Sequence, residues 1–109
     1  MSIPRLLVLA TLALFAAAAQ AEDVALYKLV ARDGKFDPAV LEVAAGKRFR
    51  LEVTNEGKKP IEFESKDLKQ EKVIAAGAKA TVYVSPLKPG EYKYVDDFDQ
   101  SNSGKLVAK

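Results

Sequence analysis

The sequence predicts an all-β domain, an antiparallel β-sandwich or barrel of seven to eight strands. Short β-rich runs recur at spacings of roughly ten residues after residue 21, and turn compositions separate them. Helix signals are scarce in the same region, so no crossover helix is predicted that would build a parallel sheet. Together these observations favour stacked antiparallel strands over an α/β or helical fold.

The first 21 residues have the pattern of a secretory signal. Arg5 is followed by an apolar run at 6–19, and Ala19-Gln20-Ala21 supplies the small residues of a cleavage site. The rival interpretation is a membrane anchor, but a run of this length rises only about 21 Å as a helix, against ~30 Å for a bilayer core. We therefore expect a cleaved signal at 1–21, a domain at 22–109 that does not span the membrane, and export to a bacterial-type periplasm.

Eight strands are predicted in this domain. Turn residues such as Gly34, Gly46 and Gly77 separate them, and residues 65–70 are expected to hold one helical turn and 96–103 a polar loop. The clearest alternation places Ile61 and Phe63 on one face and acidic side chains on the other. The predicted strands are residues 24–31, 40–43, 48–54, 61–64, 72–75, 80–84, 91–95 and 104–108.

Composition excludes several kinds of chemistry. The 109 residues include 17 Lys and Arg, 15 Asp and Glu, no His, no Cys and one Met, with a formal net charge of +2. Thiol nucleophiles, imidazole bases, disulfides and thiolate metal sites are therefore absent. The near-neutral charge gives no electrostatic basis for binding nucleic acid, and the serines have no His partner, so we expect no enzyme.

The order of motifs resembles the cupredoxin family. Residues 86–94, Pro-Leu-Lys-Pro-Gly-Glu-Tyr-Lys-Tyr, precede a loop and then Gly104-Lys105-Leu106-Val107, as in the strands that flank the copper-ligand loop of that family. Phe36-Asp37-Pro38 and Asn55 followed by Pro60 are similar to its upstream motifs. The resemblance implies a Greek-key, cupredoxin-like sandwich. A more specific resemblance is to the periplasmic cupredoxin-like proteins of bacterial iron uptake (the EfeO type). Their D-F-H motif reads Asp97-Phe98-Asp99 here.

The same resemblance implies that the type 1 copper ligands are missing. The position of the first copper His is Ile61, that of the Cys is Asp96, and that of the second His is Asp99, while residues 100–103 contain no Met. A blue-copper site needs thiolate and imidazole donors. We therefore predict no type 1 copper and no blue-copper electron transfer.

The remaining donors are carboxylates. If the topology is cupredoxin-like, Asp96 and Asp99 lie beside the strand that carries Glu62 and Glu64, and these four are the predicted metal ligands. Oxygen donors suit hard ions, so iron, copper(II) and manganese are the candidate ions. The alternative is that the aspartates only form Asx-turns.

Two functions follow from these patterns. The first is a periplasmic metal-binding or accessory protein of iron uptake, with a membrane iron permease or other periplasmic uptake components as partner. The second is a metal-free β-sandwich that binds a protein through the acidic residues or through a lysine cluster, Lys58, Lys59, Lys66, Lys69 and Lys72.

Overall fold

Nine β-strands in two sheets make up the part of the chain that the computed structural model describes, residues 24–109. Within these residues no helix is long and apolar enough to cross a bilayer. The predicted signal at 1–21 lies outside the described residues and stays a prediction. The strands are β1 (Ala25–Arg32), β2 (Lys35–Asp37), β3 (Val40–Val43), β4 (Phe49–Asn55), β5 (Ile61–Ser65), β6 (Gln70–Ile74), β7 (Lys79–Val84), β8 (Gly90–Asp96) and β9 (Asp99–Ala108).

The strands form a four-stranded sheet, ordered β2-β1-β4-β7, and a five-stranded sheet, ordered β3-β9-β8-β5-β6. We call them sheet A and sheet B. The predicted all-β sandwich is confirmed. The ninth strand is β2, a three-residue segment that pairs with the end of β1 and is too short to give a periodic signal.

Two strand pairs are parallel, whereas the sequence predicted antiparallel pairing throughout. β1 pairs in parallel with β4, and β3 pairs in parallel with β9. The chain between β1 and β4 forms β2 in sheet A and β3 in sheet B. A long connection, not a hairpin, therefore brings β4 beside β1. Only a tight hairpin forces neighbouring strands to run in opposite directions.

The segment predicted as a polar loop is mostly strand. β8 and β9 pair as far as Asp96 and Asp99, which leaves a two-residue turn at Asp97 and Phe98. The polar side chains of 99–103 gave no apolar alternation. In the structure Ser103 lies opposite Val95 and Asp99 opposite Asp96, with an irregularity in the register between these two pairs. Residues 66–69 form a turn instead of the expected helical turn.

The core lies between the sheets and contains a cluster of three aromatic rings. Phe36 packs edge-to-face against Tyr94, with ring centroids 5.1 Å apart, and against Phe63 at 6.2 Å. Leu29, Leu51 and the other inward side chains surround these rings, as alternation predicted. Edge-to-face pairs of this kind add about 0.5–1.5 kcal/mol to the burial of their area.

Tyr94 lies directly over Gly104, its partner across the β8–β9 ladder. A Cβ placed on Gly104 would lie 2.5 Å from Cε2 of Tyr94, which is far inside van der Waals contact. Glycine is therefore required here because the ring occupies the space of a side chain, and this contact fixes where the aromatic cluster sits above β9.

We expect Gly104→Ala to lower the free energy of unfolding by about 1–3 kcal/mol, because the buried ring must move in a packed core. Urea unfolding followed by circular dichroism measures this. Ser103→Ala is the matched control: its side chain is exposed on the same strand, so its effect should stay within about 0.5 kcal/mol. Equal effects of the two substitutions would contradict the account of this contact.

Candidate metal centre

Three carboxylates meet on the outer face of sheet B. Glu62, Glu64 and Asp97 each offer one oxygen, and these oxygens all lie within 4.8 Å of one another. The two glutamates are half-buried and Asp97 is exposed. We call these three residues the acidic cluster.

Strand alternation and one backbone hydrogen bond position the acidic cluster. Ile61 and Phe63 point into the core, so Glu62 and Glu64 point outward from β5. The backbone N–H of Asp97 donates to the carbonyl of Glu62 at 2.8 Å, which places the β8–β9 turn beside β5. Glu71 on β6 lies opposite Glu64 in the ladder and adds a fourth acidic group at the edge.

Crowding changes the protonation of both glutamates. Partial loss of hydration raises the pKa of Glu62 above its ordinary value of 4.5, and the neighbouring Glu71 and Asp97 raise it further. The pKa of Glu64 is raised by the same loss of hydration and then by Asp97 and Glu71, with Lys66 opposing weakly. The cluster therefore carries a repulsion that either a proton or a cation relieves.

Asp96 has a structural role inside the sandwich. It is buried, and its Oδ1 accepts hydrogen bonds from the backbone N–H of Glu62 at 2.9 Å and of Phe98 at 3.0 Å. These two donors belong to different segments, so one carboxylate oxygen ties the start of β5 to the β8–β9 turn. That oxygen is already occupied by protein donors.

Asp99 is exposed, and its Oδ1 accepts hydrogen bonds from the backbone N–H and the hydroxyl of Ser101. Of the four predicted ligands, the structure brings Glu62 and Glu64 together and adds Asp97, while Asp96 and Asp99 lie outside this group. Metal binding by any of them stays a prediction. Sequence reasoning missed Asp97 because this residue lies in the β8–β9 turn, and its place beside Glu62 depends on a backbone hydrogen bond between residues far apart in the chain.

The end of the sandwich beside Asp96, which we call the Asp96 pole, carries a depression of about 700 Å³. Ile61, Asp96, Asp99 and Asn102 line it, and these include the positions that the cupredoxin resemblance gives to copper ligands. Ile61 has no donor atom, Asp96 is hydrogen-bonded to the backbone, and the chain has no Cys or His. These residues do not fit type 1 copper.

Comparisons with known proteins agree with the fold. The family model for the cupredoxin-like domain matches residues 5–108. An uncharacterized protein of Rickettsia prowazekii (strain Madrid E) is 34% identical over 80 residues, which is 73% of this chain and 64% of that protein. The chain thus spans less than two thirds of the length of this relative.

Several solved structures are similar. The metal binding domain of the Cu(I) exporting P-type ATPase CopA of Streptococcus pneumoniae D39 has a TM-score of 0.69 at 10% identity, over 77% of this chain and 84% of that one. Auracyanin A, a blue copper protein of Chloroflexus aurantiacus, has a TM-score of 0.64 at 13% identity, over 77% of this chain and 98% of that one. A purple cupredoxin from Nitrosopumilus maritimus has a TM-score of 0.58 at 18% identity, over 75% of this chain and 98% of that one. At these identities the likeness shows the fold alone.

We expect Asp96→Ala to lower the free energy of unfolding by about 1–3 kcal/mol, because two part-buried backbone donors lose their acceptor. Asp96→Asn keeps an acceptor oxygen and should cost less. Asp99→Ala removes an exposed side chain and should stay within about 0.5 kcal/mol. Urea unfolding of the three variants checks this order, and an Asp99→Ala effect as large as that of Asp96→Ala would contradict it.

The acidic cluster also predicts a pH dependence. Because the folded-state pKa values of Glu62 and Glu64 lie above 4.5, the folded state binds more protons than the unfolded state just above that pH. Stability should therefore fall as pH rises from about 4.5 through the raised values, and then level off.

The double variant Glu62→Gln with Glu64→Gln should not lose stability in this pH range. It should therefore melt at a higher temperature than the parent at pH 7 and at a similar temperature near pH 4. Thermal melts across this range, without added metal, measure the difference. A constant difference at all pH values would contradict the assigned cause.

Proposed function

Because the chain belongs to the cupredoxin-like domain family, we propose that it is an exported metal-binding or accessory protein of iron uptake, acting as a binding module without turnover. The observation that carries this proposal is the convergence of Glu62, Glu64 and Asp97 on one face, with ligand oxygens within 4.8 Å. In the proposal these three residues hold a hard cation, and type 1 copper has no part.

The chemistry of the donors supports a hard ion. Carboxylate oxygens suit ferric iron, manganese and, with modest affinity, copper(II), whereas soft copper(I) favours thiolate and thioether donors. The pKa values of Glu62 and Glu64 are raised by partial loss of hydration and then by neighbouring carboxylates, and a cation would relieve the repulsion among these groups. Asp97 is exposed, so the face is open to water and to donors from a partner, which suits an ion that is handed on.

The assignment to iron uptake is supported by the motif resemblance along residues 61–99. The export signal predicted at 1–21 would place the protein in the periplasm, where its partner would be a membrane iron permease or another uptake component. The similar solved structures include the metal binding domain of a copper exporter, which is consistent with this fold serving metal traffic in other proteins.

Metal binding is tested by titrating residues 22–109 with Fe(III), Mn(II) and Cu(II), using calorimetry and thermal melts. An ion at about ten times its dissociation constant should stabilise the folded state by roughly 1.4 kcal/mol, or about 6–11 °C for a domain of this size. Glu62→Gln with Glu64→Gln should abolish both the heat and the shift.

The matched control is Glu42→Gln with Glu91→Gln. It removes two carboxylates from the same outer face of sheet B, at positions paired with Lys109 and Lys105 instead of with other acids. This variant should keep the metal-dependent shift. If no ion shifts the parent, or if both double variants lose the shift alike, the proposed site is wrong.

A metal-free interaction module is the second candidate, and one observation favours it. At the Asp96 pole, the buried Asn55 side chain is engaged by protein groups: its amide donates to the carbonyls of Lys59 and Ile74, and its Oδ1 accepts from the backbone N–H of Gly57. The lysine cluster is a weaker docking face, because β5 separates Lys58 and Lys59 from Lys66 and Lys69 by about 17 Å of strand. This alternative would be supported if added metals change neither the melting temperature of the domain nor the capture of its partner.

A further inference from the structure

The two outer faces of the sandwich carry opposite charge. The outward strand positions of sheet A hold five cationic and two anionic side chains, and those of sheet B, leaving out Asp99 at the turn, hold five anionic and two cationic ones. On sheet A these are Lys28, Arg32, Lys35, Arg50 and Lys79 against Asp37 and Glu52; on sheet B they are Glu42, Glu62, Glu64, Glu71 and Glu91 against Lys93 and Lys105.

Sheet A also exposes apolar surface within its basic face. Leu26 and Tyr83 are the register neighbours of Arg50 on either side, and they are 41% and 71% exposed. Glu52 pairs with Lys79 and Asp37 with Arg32. Among the described residues, Lys28 and Lys35 are exposed and form no ion pair, so their charge is available to a partner. Arg50 also forms no ion pair, but it is half-buried and donates to the carbonyl of Val24.

We propose that the outer face of sheet A docks on an anionic lipid bilayer. Dispersed cations meet mobile anionic headgroups without a fixed pairing geometry, and Tyr83 and Leu26 enter the interfacial layer, where tyrosine is favoured. The acidic cluster, on the opposite sheet, then faces away from the bilayer and stays accessible.

The size of the face favours lipid over a folded partner. The four strands hold eight, three, seven and six residues, so at ~4.8 Å spacing their flat footprint is roughly 400 Å². A folded partner would have to reach beyond this face to bury the about 800 Å² of accessible surface of a stable protein interface. A bilayer needs no such minimum, because its binding energy comes from charge and a few inserted side chains. This inference does not depend on metal binding by the acidic cluster.

Vesicle flotation tests the proposal with residues 22–109, which keep all nine strands and lack the apolar run at 6–19. Phosphatidylcholine vesicles are compared with vesicles that contain about 30 mol% phosphatidylglycerol. Binding should require the anionic lipid at ~50 mM salt and disappear at about 0.5 M salt, because the charges are then screened. Tyr83→Ser should reduce binding without removing its salt dependence.

Two double variants with the same change in total charge separate the faces. Lys28→Glu with Lys35→Glu should lower binding at least about five-fold, whereas Lys93→Glu with Lys105→Glu on sheet B should keep it. Equal losses in both variants, equal binding to both vesicle types, or no binding at all would overturn the proposal. Salt-sensitive self-association or capture of an acidic protein through Lys28 and Lys35, without flotation, would assign the face to another partner and also overturn it.

Discussion

The Asp96 carboxylate is the interaction on which the arrangement of sheet B depends. The register between β5 and β8 includes only two residue pairs, Phe63 with Asp96 and Glu64 with Val95. Asp96 extends this short contact by accepting the backbone N–H groups of Glu62 and Phe98. Charged acceptors form the stronger hydrogen bonds, so Asp96 holds the β8–β9 turn against β5. The backbone hydrogen bond from Asp97 to Glu62 acts with it to place Asp97 beside the glutamates.

The same arrangement explains why this sandwich differs chemically from the blue copper proteins that share its fold. The position that resembles the copper-binding Cys holds a carboxylate that is hydrogen-bonded to backbone groups, and the first-His position is the apolar Ile61. These positions of the Asp96 pole therefore hold no donor set for type 1 copper. The acidic groups that repel one another, and so could be relieved by a cation, lie instead on the outer face of sheet B.

Local periodicity predicted the fold class and most strands, because alternation of apolar and polar residues reports directly which face is buried. It located Glu62 and Glu64 on the outer face but paired them with Asp96 and Asp99 instead of Asp97. Asp96 and Asp99 were chosen because the cupredoxin resemblance gives their positions to copper ligands, and 96–103 was taken as a loop. In the structure β8 continues through Asp96, so the inward direction of Asp96 follows from Tyr94. Asp97 lies in the turn, and its hydrogen bond to Glu62 places it.

By itself the sequence determined the sandwich, the lack of thiolate and imidazole donors, and the outward direction of the β5 glutamates, since these follow from composition and from the two-residue period of a strand. Only the tertiary structure decided which strands are neighbours: the parallel β1–β4 pair, Glu71 opposite Glu64, and the opposite charges of the two outer faces. The physical reason is that strand pairing joins residues far apart in the chain, and no local pattern records which distant backbone completes a ladder.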